Sequence, residues 1–99
     1  MKKLVVASLF VASSLFAHTI LMSCFENGDG TVTCEGGFSD GSGASGVKIQ
    51  VLKDGKVLIE AKMNEDSEYT FKKPKGDYKV LLKSGVGHEA TIPSKEITE

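Results

Sequence analysis

The sequence predicts an all-β protein, a seven-stranded antiparallel β-sandwich preceded by a cleaved leader. Three observations carry this reading. Beyond residue 17 no helical periodicity is present, and apolar and polar residues alternate with period two. The alternating runs are short, and Gly, Asp, Asn, Ser or Pro separates each from the next. The first seventeen residues have a different character altogether. Met1-Lys2-Lys3 is basic, Leu4 to Phe16 is apolar with only Ser and Ala interrupting, and Ala17 is small. That is the layout of a secretory signal peptide, and it is too short for a membrane span of ~20 residues.

Seven strands follow: Thr19 to Glu26, Thr31 to Phe38, Val47 to Leu52, Lys56 to Met63, Glu68 to Lys72, Tyr78 to Lys83 and His88 to Ile92. In the third, Val47, Ile49 and Val51 alternate with Lys48 and Gln50. In the fourth, Val57, Ile59, Ala61 and Met63 share a face. Tyr69 and Phe71 do so in the fifth, as do Tyr78, Val80 and Leu82 in the sixth. Such strands bury one face and wet the other.

Turn chemistry fixes register. A loop Gly28-Asp29-Gly30 closes Asn27 against Thr31 and sets Cys24 opposite Cys34, at a non-hydrogen-bonded position where Cα atoms lie ~4.5 Å apart. That separation is at the short end of disulfide geometry. Ile20, Met22 and Cys24 then share a face with Val32, Cys34 and Phe38, and the ladder continued outward brings His18 near Asp40. Between strands three and four, a two-residue turn Asp54-Gly55 would oppose Ile49 to Glu60. A three-residue loop Lys53-Asp54-Gly55 opposes Val51 to Val57 and Ile49 to Ile59, and is the expected register. The stretch from Ser39 to Gly46, rich in Gly and Ser, reads as a flexible connection between sheets.

Composition excludes several functions. The chain has 99 residues, one domain's worth, and cleavage after Ala17 leaves a domain of residues 18–99. Loss of Lys2 and Lys3 leaves 10 lysines against 13 acids, a net charge of −3, with no arginine. No basic face for nucleic acid exists. Ser, His and Asp are present, but no serine has a strand-turn-helix setting, and Gly85 and Gly87 lack the helix of a phosphate loop. An enzyme is not indicated.

The chemistry rests on two histidines, the only ones in the chain. Cleavage after Ala17 makes His18 the amino terminus, where one residue offers both a free amine and an imidazole. His88 follows Gly85-Val86-Gly87. Together they supply three nitrogens, suited to nickel, cobalt, copper or zinc. Asp40 is the carboxylate expected to orient an imidazole. Cys24 and Cys34 in an exported chain read as a disulfide, with thiolate ligation as the lesser reading. A lipid-anchored Cys24 after Leu21-Met22-Ser23 is a further reading, and it would discard His18.

The order Phe38-Ser39-Asp40-Gly41-Ser42, Gly46 to Val51, Asp54-Gly55-Lys56, Asn64 to Phe71, Lys75 to Val80 and Gly85 to Ala90 resembles the small periplasmic accessory components of nickel and cobalt energy-coupling-factor transporters. More widely it is similar to the carboxypeptidase-regulatory-like, transthyretin-like sandwiches of immunoglobulin-like architecture. The resemblance implies a periplasmic protein that binds nickel or cobalt through His18 and His88 and serves membrane transporter subunits. Ser67 stands where that superfamily usually has glycine. Two other functions fit the residues: a metal-free structural or interaction module of the envelope, and a periplasmic copper-binding protein. The exported protein should have the intact mass of residues 18–99 with no lipid; a diacylated Cys24 would overturn both the cleavage point and the metal site.

Overall fold

The computed structural model describes residues 19–85 and 88–99. The leader, His18, Val86 and Gly87 lie outside the described residues. Seven strands are present: β1 Ile20–Glu26, β2 Thr31–Phe38, β3 Lys48–Lys53, β4 Lys56–Lys62, β5 Glu68–Lys72, β6 Lys79–Gly85 and β7 His88–Pro93. They form two antiparallel sheets, ordered β1-β2-β5 and β4-β3-β6-β7, and a 3-10 turn at Ser94–Glu96 follows. The all-β expectation holds, with strand limits displaced by at most two residues.

The alternating residues bury as their pattern demands. Val32, Cys34, Ile49, Val51, Val80 and Leu82 are inaccessible to solvent, and Phe71, Tyr78 and Met63 nearly so. The Phe71 and Tyr78 rings meet edge to face at 6.2 Å, a favoured aromatic arrangement. The sheets approach closely at Gly36, where a Cβ would lie 2.8 Å from Leu82 Cδ2, 3.1 Å from Ala44 Cβ and 3.2 Å from Met63 Cε. A larger residue there requires these neighbours to shift.

The first hairpin has the expected register. Cys24 pairs with Cys34 and Asn27 N donates to Thr31 O. The cysteines are disulfide-bonded, with Cα atoms 4.0 Å apart. Asp29 Oδ1 accepts from the Thr31 N–H at 3.0 Å and its hydroxyl at 2.5 Å, which pins the turn.

The β3–β4 hairpin departs from expectation. The turn has two residues, Asp54 and Gly55, both with positive φ (53° and 77°), as the tightest hairpin turn requires. Lys53 pairs with Lys56 and Leu52 with Val57. Leu58 is then an extra residue, a bulge, so that Val51 pairs with Ile59 and Ile49 with Ala61. Apolar thus meets apolar by way of a bulge, not a longer loop. The bulge also removes Val57 from the interior: it is 49% exposed, and Leu58 is 52% exposed.

The glycine-rich connection does join the two sheets, but it is tied down. Phe38 N donates to Ser42 O, Gly37 bridges to Gly43, and Ala44 is fully buried. Ser67, at φ 62°, takes the left-handed conformation that favours glycine. Its hydroxyl accepts from Ala44 N at 2.8 Å and its carbonyl from Gly36 N at 2.9 Å. At the other end Ile97 is buried and Thr98 O accepts from Glu26 N at 2.9 Å, so the C-terminal segment covers part of the β1 margin.

Gly36→Ala should destabilise the fold by about 1–3 kcal/mol through overpacking. Urea denaturation of the oxidised protein checks this; a change within ±0.5 kcal/mol, the usual surface range, would show that the sheets can separate freely at this point.

Candidate functional site

Thr19, Asp40 and His88 lie at one end of the sandwich, and the packing shows why. Gly36 pairs with Met22 in one sheet, Leu82 pairs with Ala90 in the other, and Gly36 faces Leu82. Met22 and Ala90 are therefore at the same height. Further along, Phe25 bridges in parallel to Thr98. So β1 and β7, which lie in contact, run in the same direction and begin at the same end.

His88 opens β7, exposed, opposite Gly85 after a register shift in the hairpin. The β1–β2 ladder extends one pair past Ile20–Phe38: Ser39 N donates to Thr19 O at 2.8 Å and Thr19 N to Ser39 Oγ at 3.2 Å. Asp40 follows at once, and its Oδ1 accepts from Ser42 N at 2.9 Å and Ser42 Oγ at 2.6 Å. This carboxylate is thereby held in a fixed orientation. Thr19, Asp40 and His88 share the end of the molecule, and His18, the residue before Thr19, lies outside the described residues. Among the described residues, no three His, Cys, Asp or Glu side chains are close enough to hold a metal ion.

The cysteines belong elsewhere. Cys34 is fully buried between the sheets and bonded to Cys24. In that state neither sulfur is a thiolate and Cys24 has no free thiol. A disulfide in this position points to an oxidising compartment outside the cytosol. No helix among the described residues is long and apolar enough to cross a membrane.

One electrostatic feature escaped the sequence reading. Glu35 and Glu68 are directly opposed across β2 and β5. The Glu68 carboxyl is raised above its ordinary value, first by desolvation, then by the hydrogen bond and charge of Glu35, and last by Asp66. Each residue alone looks like a solvated strand acid. Only the pairing of β2 with β5, far apart in sequence, reveals the repulsion.

No protein-family model matches the chain, and comparison with characterised proteins and with solved structures finds no match.

A raised carboxyl value means that the folded state favours the protonated acid. The fold therefore loses stability as pH rises from the ordinary glutamate value of 4.5 through the raised one. Glu68→Gln should stabilise the protein at neutral pH, with the gain vanishing in acid. Denaturant melts at both pH values test this, and an equal effect at both would remove the charge repulsion as the cause.

Proposed function

We propose that the mature chain is a periplasmic binding protein for a divalent transition metal, nickel or cobalt, which it supplies to a membrane uptake transporter. The observation that supports this most is the common end of β1 and β7. Thr19, just before β1, and His88, which opens β7, then lie at the same end of the sandwich. The resemblance of the segments around Asp40, Asp54 and His88 to nickel and cobalt transporter accessory proteins supplies the destination.

In this reading the metal is cargo. The His18 amine and imidazole close a chelate ring, and His88 adds an imidazole from the other sheet. Two ligands from one residue and one from another suit a site that both captures and releases. Asp40, fixed by Ser42, would orient an imidazole and raise its basicity. Copper would bind the same nitrogens more tightly than nickel or cobalt, as it does at most nitrogen sites, so availability in the compartment decides the cargo. A metal-free envelope module is the competing reading, and the disulfide-stapled sandwich is compatible with it.

Protons compete for these ligands, since a terminal amine is ordinarily half protonated near pH ~8 and an imidazole near ~6.5. Nickel affinity should fall steeply below pH ~6. His88→Ala should lose most of the affinity. One residue added before His18 should do comparable damage, because it turns the chelating amine into an amide and leaves the imidazole intact. Calorimetric titration of the three proteins with nickel, cobalt and copper distinguishes the readings. Undiminished binding by the extended chain would sink the terminal chelate, and no binding by any of them would favour the metal-free module.

A further inference from the structure

The outward face of the four-stranded sheet gathers charges that lie far apart in sequence. Ile49, Val51, Val80 and Leu82 are buried in the interior, so by alternation Lys48, Lys79 and Lys83 point to solvent. Residues directly paired in a sheet share a side, which adds Lys62 and Glu89. Lys62, Lys48 and Lys83 are directly opposed across β4, β3 and β6, an unbroken row of three exposed lysines on neighbouring strands. Like charges placed in this way repel. Two of the three have acids nearby: Lys48 Nζ is 3.8 Å from Glu60 Oε2, and Lys83 Nζ is 3.7 Å from Glu89 Oε2. These are long, half-exposed pairs of little worth, and Gln50 Nε2 also donates to the Glu60 carboxylate. Among the described residues Lys62 forms no ion pair.

The two sheets differ in sign. On the outward side of the four-stranded sheet, the strands carry Lys48, Lys62, Lys79 and Lys83 against Glu60 and Glu89. On the outward side of the three-stranded sheet they carry Glu35 and Glu68 against Lys72. A chain that is acidic overall thus presents one basic face. The same face has an apolar margin. Val57 pairs with the outward Leu52 and is 49% exposed, and Leu58, the bulge beside it, is 52% exposed. Val57 is five residues along β4 from Lys62, roughly 17 Å at the ordinary rise of a strand.

Three features of this face select its partner. The lysine row lies open across a sheet and encloses no single anion, so it suits anions spread over a plane. Its cations are all lysine, hydrated point charges on flexible stems, which follow mobile anions instead of gripping one in a fork. Two aliphatic side chains share the plane, and the headgroup layer of a bilayer takes up such groups beside basic ones.

We propose that the outward face of the β4-β3-β6-β7 sheet docks on the anionic phospholipid headgroups of a membrane. Lys48, Lys62 and Lys83 face the phosphates, and Val57 and Leu58 enter the headgroup layer. The contact needs no metal, so it stands or falls separately from the function proposed above.

Co-sedimentation of the mature chain with vesicles tests the proposal. The vesicles are phosphatidylcholine alone, or phosphatidylcholine mixed with phosphatidylglycerol. The chain should bind the mixed vesicles at low salt, ignore the neutral ones, and come off near ~0.5 M salt. Lys62→Glu should weaken binding roughly tenfold or more. Lys72→Glu makes the same change of charge on the other sheet and should weaken it less than about threefold. Thermal melts show that both variants are folded. The chain has no tryptophan, so Leu58→Trp and Leu21→Trp, at two exposed leucines on opposite sheets, report which face makes contact. Only the Leu58→Trp emission should shift to the blue on the mixed vesicles. No binding to the mixed vesicles overturns the proposal, as does equal binding to the neutral ones. Equal losses in the two charge reversals, or a blue shift at Leu21→Trp instead, overturn it as well.

Discussion

The close contact of the two sheets at Gly36 is the constraint on which the rest of the structure depends. A strand residue without a side chain lets β2 settle directly onto Leu82, Ala44 and Met63. That contact fixes the height of one sheet against the other. Once Gly36 is level with Leu82, the β1 and β7 strands are aligned start to start. Ser67 reinforces the same point, since it binds Gly36 through its carbonyl and Ala44 through its hydroxyl. Its left-handed backbone is compatible with glycine, but glycine would leave the buried Ala44 N–H without that acceptor. A lost bond of this kind costs about 1–3 kcal/mol when the orphaned group is buried. The serine at a position that favours glycine is thus explained by what its side chain holds.

The disulfide and the C-terminal segment act on the same margin as the candidate metal ligands. Cys24 and Cys34 lock the β1–β2 register in the interior, and a one-residue slip would turn all of β1 inside out. The loop that the bond closes is short, with a sequence separation of 10, so its entropic stabilisation is somewhat below the ~3 kcal/mol of a 15-residue loop. Ile97 and Thr98 then close the far end of β1. A strand held in this way is a firm base for a ligand at its start. Among the described residues the opposite margin has no such closure.

Strand positions, the first hairpin turn and the Cys24–Cys34 pairing were legible in the sequence, because each is a local matter. Period-two alternation marks a half-buried strand, and Gly and Asp mark where the chain reverses. The β3–β4 register was only partly legible. The rule that apolar residues oppose apolar ones was right for Val51 and Ile49, yet it can be met by a longer loop or by a bulge. The twist of the strands favours the tight Asp54-Gly55 turn, and Leu58 absorbs the mismatch. Nothing local distinguishes these two solutions, so Val57 reads as interior when it is half exposed. The Gly-Ser connection reads as flexible because its residues have no pattern, but Ala44 is buried in it by partners more than twenty positions away.

What the sequence by itself determined is therefore the set of elements and the first hairpin with its disulfide. Tertiary structure alone decided which strands neighbour one another out of order, β2 with β5 and β3 with β6. From that follow the Glu35–Glu68 opposition and the common end of β1 and β7. The physical reason is the same in each case. Alternation says which face of a strand is buried, but not against what, and the partner is settled only when two sheets compete for the closest packing that a single glycine permits.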